Sequence, residues 1–388
     1  MKEVRLGIIG VGGMGSHHAR TVLGGNVNRL RLTAVCDVNP QALEKFADPL
    51  QKFDDSRALI RSGAVDAVII ATPHYGHTII GIDALSAGLH VLVEKPISVH
   101  KADCERLIAA WKGPGQVFAA MFNQRTDPHY QRIRNLVRAG ELGALQRVSW
   151  IITNWFRTQT YYNSGGWRAT WKGEGGGVLL NQCPHNLDLL QWICGMPVRV
   201  RGFCGLGKRH QIEVEDEVTA YFEYANGATG TFITGTGEAP GTNRLEICGE
   251  RGKLVMENGE IRFTRNETSA PEFLRTSKEG FATPPVWHVS FPPDGGGTQH
   301  TGILRNFTEA ILDGAPLLSP AAEGIHSVEL ANAMLLSSMT DKTVELPMDG
   351  AVYERRLKQL IKESKSAKSA AAATAAADLS KTFNTSKA

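Results

Sequence analysis

The glycine-rich segment from Gly10 to Gly15, GVGGMG, constrains the fold of this 388-residue chain more than any other feature. It follows the apolar run Val4 to Ile9 and opens a helical pattern that continues to Leu23. A G-x-G-x-x-G sequence between a strand and a helix is the fingerprint of a dinucleotide site. The segment therefore predicts a strand, a tight turn and a helix that together hold a pyrophosphate.

Each glycine of this motif has its own predicted role. Gly10 permits the tight turn, Gly12 lets the backbone approach the pyrophosphate, and Gly15 lets the helix pack closely on the strand. The helix amino terminus, at Gly13 and Met14, attracts phosphate charge. A glycine-rich turn without a ligand is the alternative.

Short apolar runs alternate with helical patterns through the first third of the chain. The runs, each suited to a buried parallel strand, are Val4 to Ile9, Leu32 to Cys36, Val65 to Ala71, His90 to Val93 and Val117 to Met121. Between them, His77 to Ala87 and Val99 to Trp111 carry apolar residues at helical spacing. This repeat predicts a doubly wound parallel sheet of the Rossmann type over residues 1–125.

The pattern then changes to the alternation of apolar and polar residues that is typical of antiparallel strands. The alternating runs are Val148 to Phe156, Val198 to Gly205, Val218 to Tyr224, Ala228 to Ile233 and Leu254 to Phe263. Asn-Gly pairs at residues 226–227 and 258–259 predict hairpins. We expect a second, α+β domain over residues 126–363 with an open antiparallel sheet, one face of which buries a partner subunit in a homo-oligomer, a dimer or tetramer.

Helical periodicity returns near the carboxyl terminus, in Thr301 to Asp313, Ala321 to Ser338 and Val352 to Glu363. The low-complexity tail from Ser364 to Ala388 predicts disorder. Its composition is rich in alanine and serine and carries no candidate chemistry.

Composition excludes several classes of protein. A formal net charge of +3 with scattered basic residues argues against a nucleic-acid partner and favours a small-molecule substrate. Six cysteines without a CxxC pair argue against structural zinc and against a disulfide framework, and no metal is expected. Without an apolar run of membrane-spanning length or a signal-peptide pattern, the expected compartment is the cytoplasm.

Polar residues follow the second and third predicted strands. Asp37 ends the second strand, 22 positions after Gly15, where a carboxylate accepts hydrogen bonds from ribose hydroxyls and repels a 2′-phosphate. This favours NAD over NADP, although Asp37 also fits a simple cap before Pro40. Thr72 and Pro73 lie at the carboxyl edge of the sheet, where ligands bind in doubly wound folds.

Three segments resemble one known family. They are ATPHYGHTIIGIDALSAGLHVLVEKP at residues 71–96, NQR at residues 123–125, and GGGVLLNQCPHNLDLLQWICG at residues 175–195. Together they are similar to the glucose-fructose oxidoreductase, inositol dehydrogenase and rhizopine-catabolism (Gfo/Idh/MocA) family. The resemblance extends over nearly the whole chain before the tail and implies a dinucleotide domain followed by an open sheet, with the substrate between them.

The resemblance also implies roles for particular residues. The lysine of the family's EKP motif falls on Lys95, and the histidine of its D-x-x-x-H motif falls on His185. The aspartate position of that motif is occupied by Asn181, and an amide orients a neighbour by hydrogen bonding but takes up no proton. The lysine's sharp turn implies a cis bond before Pro96, with a trans bond as the alternative.

The chemistry expected of these residues is proton and hydride transfer. A neutral His185 imidazole accepts the hydroxyl proton of the substrate, and Lys95 either donates to the substrate oxygen or, with a lowered pKa, shares the proton. Asp188, three residues after His185, has either a catalytic or a structural role. The predicted catalytic set is Lys95, His185, Asn181 and Asp188.

The remaining predicted contacts divide between cofactor and substrate. The cofactor set is Gly10, Gly12, Gly13, Met14, Gly15, Asp37, Thr72, Pro73, His77, Glu94, Lys95 and Asn123, with Glu94 on a cofactor ribose. The substrate set is Lys95, Arg125, Trp167, Arg168, Asn181 and His185, in which the tryptophan either stacks on a sugar or packs inside the protein. His300, after the glycine run 295–297, fits an incidental loop histidine better than a lid residue.

The sequence thus predicts an NAD-dependent oxidoreductase that transfers a hydride between a secondary hydroxyl of a sugar, cyclitol or sugar derivative and the nicotinamide. Two alternatives stay open. One is a redox-neutral NAD-dependent enzyme that cleaves glycosides, an option that Asn181 keeps in play. The other is a non-catalytic dinucleotide-sensing protein of the same fold.

Overall fold

Two sheets organise the chain in the computed structural model, which describes residues 2–291 and 295–364. Apart from Ser364, the tail for which disorder was predicted lies outside the described residues. The first sheet has six strands and the second has nine.

The first sheet is parallel and doubly wound, as the strand-helix repeat predicted. Its elements are β1 Val4–Ile9, α1 Gly13–Leu23, β2 Leu30–Cys36, α2 Pro40–Glu44, β3 Gln51–Phe53, α3 Ser56–Arg61, β4 Ala67–Ile70, α4 His74–Ser86, β5 His90–Val93, α5 Lys101–Ala109 and β6 Phe118–Ala120. The strand order is β3-β2-β1-β4-β5-β6. Because helices cover both faces, strand residues such as Leu6, Ile8 and Val68 are fully buried.

The second half of the chain builds the larger sheet and the helices that cover it. Its elements are a 3-10 turn at Asn123–Thr126, α6 Pro128–Arg138, β7 Leu145–Ile152, α7 Gln159–Asn163, α8 Val178–Asn181, α9 Pro184–Cys194, β8 Arg199–Leu206, β9 Glu215–Glu223, β10 Thr229–Gly235, β11 Asn243–Gly249, β12 Gly252–Glu257, β13 Glu260–Asn266, α10 Ala270–Thr276, β14 Val286–Ser290, α11 Gln299–Asp313, a 3-10 turn at Ala321–Glu323, α12 Gly324–Thr340, β15 Val344–Glu345 and α13 Gly350–Glu363. The strand order is β14-β13-β12-β11-β7-β10-β9-β8-β15.

The hairpin predicted at residues 258–259 is confirmed, and one detail of the sheet differs from the prediction. The run Leu254 to Phe263 forms the hairpin of β12 and β13, because Asn258 and Gly259 both have positive φ angles, 52° and 74°, at the turn. Positive φ at both central residues is the signature of a tight hairpin turn. The sheet is mostly rather than wholly antiparallel, since β7 and β10 pair in parallel.

Helix α11 returns the chain to the first sheet. Its residues Ile303, Leu304 and Phe307 are buried in the same hydrophobic cluster as Leu6 and Ile8 of β1. In space, therefore, the unit around the first sheet includes residues from both sides of the boundary predicted at residue 125. This packing brings His300, in the first turn of α11, beside His17 and His18 of α1.

Within the described ranges, no helix combines the length and apolar character needed to cross a membrane.

Candidate active site

The glycine-rich loop between β1 and α1 forms an open cradle. Gly10 has a φ of +88°, and a Cβ there would lie 2.8 Å from backbone atoms of Ala71 and Thr72. A Cβ on Gly15 would lie 1.9 Å from the carbonyl oxygen of Gly10, so helix and strand approach too closely for any side chain. A Cβ on Gly12, by contrast, would meet nothing within 4 Å. Gly10 and Gly15 thus have the predicted structural roles, and the space beside Gly12 suits a pyrophosphate.

Asp37 lies beside this loop at the end of β2. One carboxylate oxygen accepts from Val11 N–H at 2.9 Å, and the other accepts from Asn39 N–H at 2.9 Å. Each oxygen retains a further lone pair that can accept from a ribose hydroxyl. Lys45, which the sequence reading missed, donates from Nζ to the carbonyl oxygen of Val11 at 2.7 Å and to Ser16 Oγ at 2.6 Å. Lys45 stands outside the fingerprint, so no motif pointed to it.

The ends of β4 and β5 are braced by His77. Its Nδ1 lies 2.8 Å from the carbonyl oxygen of Pro96, and its Nε2 lies 2.8 Å from the carbonyl oxygen of Thr72. Both ring nitrogens are therefore engaged with backbone, and the geometry offers none to a cofactor, contrary to the contact predicted for His77. The Lys95–Pro96 bond is cis, as the family resemblance implied. Thr72 Oγ1 is buried without a hydrogen-bond partner among the described residues, and Pro73 precedes the first turn of α4.

Glu94 belongs to a buried cluster with histidines from two distant helices. Its Oε1 lies 2.7 Å from His18 Nε2, and its Oε2 accepts from the backbone N–H of Lys95 at 3.1 Å. Burial opposes ionisation of Glu94, but the hydrogen bond and charge of His18 and the charges of His300 and Lys95 outweigh it and lower the pKa to about 2. Glu94 is thus a carboxylate held by His18, rather than one directed at a ribose as predicted.

His300 completes this cluster from the first turn of α11. Its ring centroid lies 5.6 Å from that of His18 and 5.3 Å from that of His17. Burial, then the neighbouring His18 charge, lower the His300 pKa to about 3. The interpretation of His300 as an incidental loop residue was wrong, since it is only 8% exposed. For His18 a signal existed: it follows Gly15 by three residues and so shares the helix face that packs on the sheet.

Lys95, which follows β5 of the first sheet, contacts the second half of the chain. Its Nζ donates to the carbonyl oxygen of Asn181, at the end of α8, at 3.0 Å. Burial lowers the Lys95 pKa from its ordinary value, while the carboxylates of Glu94 and Glu174 oppose that change. The Asn181 side chain in turn donates from Nδ2 to Glu174 Oε1 and accepts from the Tyr161 hydroxyl at 3.2 Å. Glu174 is a second residue that the sequence reading missed.

His185 lies in the first turn of α9, four residues after Asn181. It is 8% exposed, packs edge-on against Phe122 at 6.1 Å between ring centroids, and has a buried Nδ1 with no hydrogen-bond partner in the part of the chain that the structure describes. Burial lowers its pKa well below the ordinary value, and the charges of Lys95 and His300 lower it further. The imidazole is therefore neutral near pH 7 and close enough to Lys95 to sense its charge.

Arg125 and Asp188 bind each other. Arg125 donates from Nε and Nη2 to the two Asp188 oxygens at 2.7 and 2.6 Å, and both side chains are fully buried. A third donor, Nη1, reaches Glu323 at 2.5 Å and the carbonyl oxygen of Leu318 at 3.1 Å. Neither group exposes an atom, so the geometry gives no support to substrate contact by Arg125 or to proton transfer by Asp188.

The segment between β7 and α8, residues 153–177, is called the aromatic segment, and it contacts Asn181 through Tyr161. The Arg168 guanidinium carbon lies 4.8 Å from the ring centroids of both Tyr161 and Trp167, and Nη1 donates to the Tyr161 hydroxyl at 2.9 Å. Trp167 packs against His74 at 5.6 Å. Both Trp167 and Arg168 are partly exposed, so neither side chain is wholly buried in the core.

Asn123 lies at the start of the 3-10 turn after β6 and contacts the α11 terminus. Its Nδ2 donates to Gln299 Oε1 at 2.7 Å, while its Oδ1 is buried with no hydrogen-bond partner in the described ranges. Among the residues described, no group of three or more histidine, cysteine or acidic side chains is arranged to hold a metal ion.

Comparison with known families follows this division of the chain. The family model described as the oxidoreductase family, NAD-binding Rossmann fold, matches residues 4–122. The model of the GFO/IDH/MocA C-terminal domain matches residues 130–255. The chain belongs to the Gfo/Idh/MocA family.

Members of this family that resemble the chain include several sugar and cyclitol dehydrogenases. The inositol 2-dehydrogenase of Salmonella typhimurium is 34% identical over 145 residues, which are 36% of this chain and 43% of the relative. The levoglucosan dehydrogenase of Pseudarthrobacter phenanthrenivorans is 25% identical over 401 residues, 90% of this chain and all of the relative. The WlbA dehydrogenase from Bordetella pertussis, solved with NADH and UDP-GlcNAcA, has the same fold, with a TM-score of 0.75 at 24% identity over 89% of this chain and 100% of that chain.

NAD fits the residues of this Gfo/Idh/MocA chain. The space beside Gly12 and the α1 amino terminus would accommodate the pyrophosphate, and the Asp37 carboxylate has lone pairs that could accept from a ribose. Two buried oxygens without partners among the described residues, Thr72 Oγ1 and Asn123 Oδ1, lie on the chain that follows β4 and β6. NAD is therefore the cofactor that the fold and the loop geometry support.

Proposed function

We propose that this oxidoreductase oxidises a secondary hydroxyl of a sugar, cyclitol or sugar derivative with NAD. The observation that carries the proposal is the meeting of Lys95 and His185, which come from different halves of the molecule. Lys95 contacts Asn181 at 3.0 Å, and its charge acts on the His185 imidazole four residues later. Lys95, as an ammonium, can donate a proton, whereas the neutral His185 imidazole can accept one.

The proposed role of Lys95 is to donate a hydrogen bond to the substrate oxygen. Oxidation of an alcohol removes the hydroxyl proton, and negative charge develops on that oxygen. Since burial lowers the Lys95 pKa, the ammonium releases its proton more readily than an exposed lysine does. An ammonium in a buried site also stabilises the developing alkoxide by its charge.

The proposed role of His185 is to accept the hydroxyl proton. The lowered pKa keeps the imidazole neutral, and a neutral ring has the free lone pair that a base needs. A base placed in this way contributes roughly 10²- to 10⁴-fold to a rate. NAD, when bound, supplies the acceptor for the hydrogen that leaves carbon with its electron pair.

Arg125 and Asp188 are proposed to position His185 rather than to touch the substrate. Asp188 lies one helical turn after His185 on α9, and its bidentate bond with Arg125 ties that turn to the segment after β6. A fully buried pair of this kind resists displacement, because breaking it leaves a charge without a partner.

Support for a carbohydrate or cyclitol substrate comes from two sources. The relatives that match this chain are named for inositol and levoglucosan oxidation. The segment that contacts Asn181 carries Trp167 and Tyr161, aromatic residues of the kind that stack on the C–H surface of a sugar, together with Arg168, which lies over both rings and has donors for hydroxyl groups.

A substrate panel tests this proposal. The purified protein is incubated with NAD and with cyclitols, free sugars, anhydrosugars and glycosides, while NADH and sugar products are measured together. Net NADH with a cyclitol or sugar supports the dehydrogenase. Product from a glycoside without net NADH instead identifies redox-neutral cleavage, and cofactor binding with neither product identifies a sensor.

The Lys95→Met variant tests the assignment of the site. We expect NADH binding to persist and turnover to fall on the order of 100-fold or more, because the lost contribution lies in the chemical step. Lys172→Met, at an exposed lysine of the aromatic segment, is the matched control and is expected to retain activity. Wild-type turnover by Lys95→Met would contradict the assignment.

We also propose that the open face of the second sheet forms a subunit interface. Large apolar side chains on β8 and β9 are exposed there: Phe203 is 57% and Tyr221 is 40% exposed. Light scattering of the wild type and of a Phe203→Lys/Tyr221→Lys variant checks this, since the variant is expected to lose the oligomer. A monomeric wild type would contradict the proposal.

A further inference from the structure

The carboxylate that the family motif places at position 181 is absent from this chain, yet a carboxylate touches that position from another part of the sequence. We propose that Glu174 is a positioning residue of the active site, which fixes the side chain of Asn181 and provides the negative charge that holds Lys95 as an ammonium. This inference rests on the hydride-transfer function proposed above. It assigns to the pair Glu174 and Asn181 the task that a single aspartate would have.

The Glu174 carboxylate is held in one orientation by hydrogen bonds to both of its oxygens. Its side chain is 2% exposed. Oε1 accepts from Asn181 Nδ2, and Oε2 accepts from Ala169 N–H at 2.6 Å. Its backbone oxygen lies 3.1 Å from His74 Nδ1. Each carboxylate oxygen thus has its own donor, and the donors come from two different segments.

The orientation of the Asn181 amide is determined by its other partners. Its Oδ1 accepts from the Tyr161 hydroxyl at 3.2 Å and from Gln182 Nε2 at 3.1 Å. The nitrogen of the amide must therefore face Glu174, where it donates. Through this bond Glu174 orients the residue whose backbone oxygen holds Lys95 Nζ at 3.0 Å.

The local backbone is shaped to bring Glu174 to this place. Gly175 has a φ of +80°, and a Cβ there would lie 2.0 Å from Val99 Cγ1, so only glycine follows Glu174 at this approach. Ala169 has a left-handed φ of 54°, which is unfavourable for a residue with a Cβ. Its N–H is directed at Glu174 Oε2, and that charge-assisted bond offsets part of the cost.

Two cations face Glu174. Burial raises the Glu174 pKa above its ordinary value, and the charges of Arg168 and Lys95 and the bonds from Ala169 and Asn181 offset only part of that rise. The interaction is mutual, since Glu174 raises the Lys95 pKa against the effect of burial. The titratable or charged groups around Glu174 are Lys95 after β5, His74 on α4, Tyr161 and Tyr162 on α7, Arg168 in the aromatic segment and Glu215 on β9.

The competing explanation is that Glu174 only holds the backbone of Ala169 in place. Exchanging the carboxylate and the amide between positions 174 and 181 distinguishes the two explanations. Glu174→Gln leaves one acceptor oxygen for two donors, Asn181 Nδ2 and Ala169 N–H, and removes the charge. In the double variant Glu174→Gln/Asn181→Asp, the amide at position 174 donates to the carboxylate at position 181 and its oxygen accepts from Ala169 N–H. Both hydrogen bonds of residue 174 are then restored, the one between positions 174 and 181 with donor and acceptor exchanged, and the negative charge returns to the site.

The experiment measures the pKa of Lys95 in the full-length protein without any substrate. Lysines are dimethylated with carbon-13 formaldehyde, a modification that keeps the charge, and the Lys95 resonance is assigned by its absence in Lys95→Arg. Glu174→Gln is expected to lower the Lys95 pKa by about one unit, because an opposite charge within a few ångströms is removed. The double variant is expected to recover most of that loss.

Glu213→Gln is the matched control. Glu213 also braces the aromatic segment, since its Oε1 accepts from Trp171 N–H at 2.8 Å, but its hydrogen bonds with Trp171 and Ser364 do not involve Asn181. This variant is expected to leave the Lys95 pKa as it is in the wild type. NADH binding, measured by fluorescence, is expected to be the same in all variants.

Each outcome decides the matter. An unchanged Lys95 pKa in Glu174→Gln, or a double variant no better than Glu174→Gln, overturns the proposal in favour of a structural brace. If Glu174→Gln does not fold, the double variant is compared with the wild type directly, and a double variant that also fails to fold overturns the proposal.

Turnover provides the second readout and separates this inference from the proposed function. With a substrate from the panel, Glu174→Gln is expected to lose on the order of tenfold in kcat with little change in KM, and the double variant to return within about threefold of wild type. If no substrate of the panel is oxidised by the wild type, the dehydrogenase proposal fails. The Lys95 pKa measurements still accept or reject the role of Glu174.

Discussion

Acidification is expected to destabilise this protein steeply below pH 6.5, and His300 is the residue through which the effect is most directly tested. Burial and the neighbouring His18 lower the His300 pKa from 6.5 to about 3 in the folded protein. In the unfolded chain His300 takes up a proton near pH 6.5, whereas in the folded protein it takes one up only near pH 3. The contribution of His300 to stability is therefore complete above pH 6.5 and is lost progressively between pH 6.5 and pH 3.

The magnitude at pH 5 follows from this difference. At that pH the imidazole of the unfolded chain is almost wholly protonated and that of the folded chain is neutral. One pKa unit corresponds to about 1.4 kcal/mol, and pH 5 lies about one and a half units below the unfolded value, so the loss is about 2 kcal/mol relative to pH 8. The titratable groups facing His300 are His17 and His18 from α1, Glu94 and Lys95 from the end of β5, and His185 from α9.

The assay is urea unfolding of wild type and His300→Gln at pH 8 and pH 5, without NAD. Glutamine does not titrate, so the loss of unfolding free energy between the two pH values is expected to be about 2 kcal/mol smaller in the variant. Packing losses from the substitution are common to both pH values and cancel. His288→Gln, at an exposed histidine on β14, is the control and is expected to behave as wild type. Equal losses in wild type and His300→Gln would show that water reaches the cluster and would refute the reasoning.

Four further outcomes are expected. Gly15→Ala places a Cβ 1.9 Å from the Gly10 carbonyl oxygen, so NADH affinity measured by fluorescence should fall more than tenfold, a loss of more than about 1.4 kcal/mol of binding free energy. Wild-type affinity in this variant would contradict the close packing of helix and strand. Asp37→Ser removes the carboxylate that repels a 2′-phosphate, so the ratio of NADPH to NADH affinity should rise by about tenfold or more in the same titration; an unchanged ratio would exclude Asp37 from cofactor choice. Asp188→Asn leaves the buried Arg125 charge partly unpaired and should cost about 3 kcal/mol in urea unfolding, whereas a cost below about 1 kcal/mol would argue against a tight pair. Because burial lowers the pKa of both His185 and Lys95, the acid limb of the kcat/KM profile should lie below pH 6.5 and the alkaline limb below pH 10.5, and limbs above these values would contradict the assigned roles.

Much of the fold was predictable because it depends on short-range pattern. The strands Val4–Ile9 and His90–Val93 were predicted to the residue, since each is a short, mostly apolar run that ends at a glycine or a charged residue. The short strand Gln51–Phe53 at the sheet edge was missed, because three partly exposed residues carry no period. Asn243–Gly249 was missed as well, although it pairs with both β7 and β12 in the middle of the larger sheet.

The candidate site was predictable in part. Lys95 and His185 were found because a family motif marks each of them, and the structure brings them within reach of each other's charge. Glu174 and Lys45 were missed because no motif contains them. The hydrogen bonds of Glu94 with His18, of His77 with the Pro96 carbonyl oxygen and of Arg125 with Asp188 were not predicted, because in each case the partner lies on another element of the chain.

By itself the sequence determined the glycine loop, the parallel and antiparallel sheets and the family, because glycine's freedom at positive φ and the spacing of apolar residues act over a few neighbouring positions. Only the tertiary structure decided which carboxylate contacts Asn181, which histidines pack around Glu94, and that Arg125 forms an ion pair with Asp188. These contacts arise when distant elements pack together and remove their side chains from water, so the charges and pKa values of the site belong to the folded molecule and not to any segment of it.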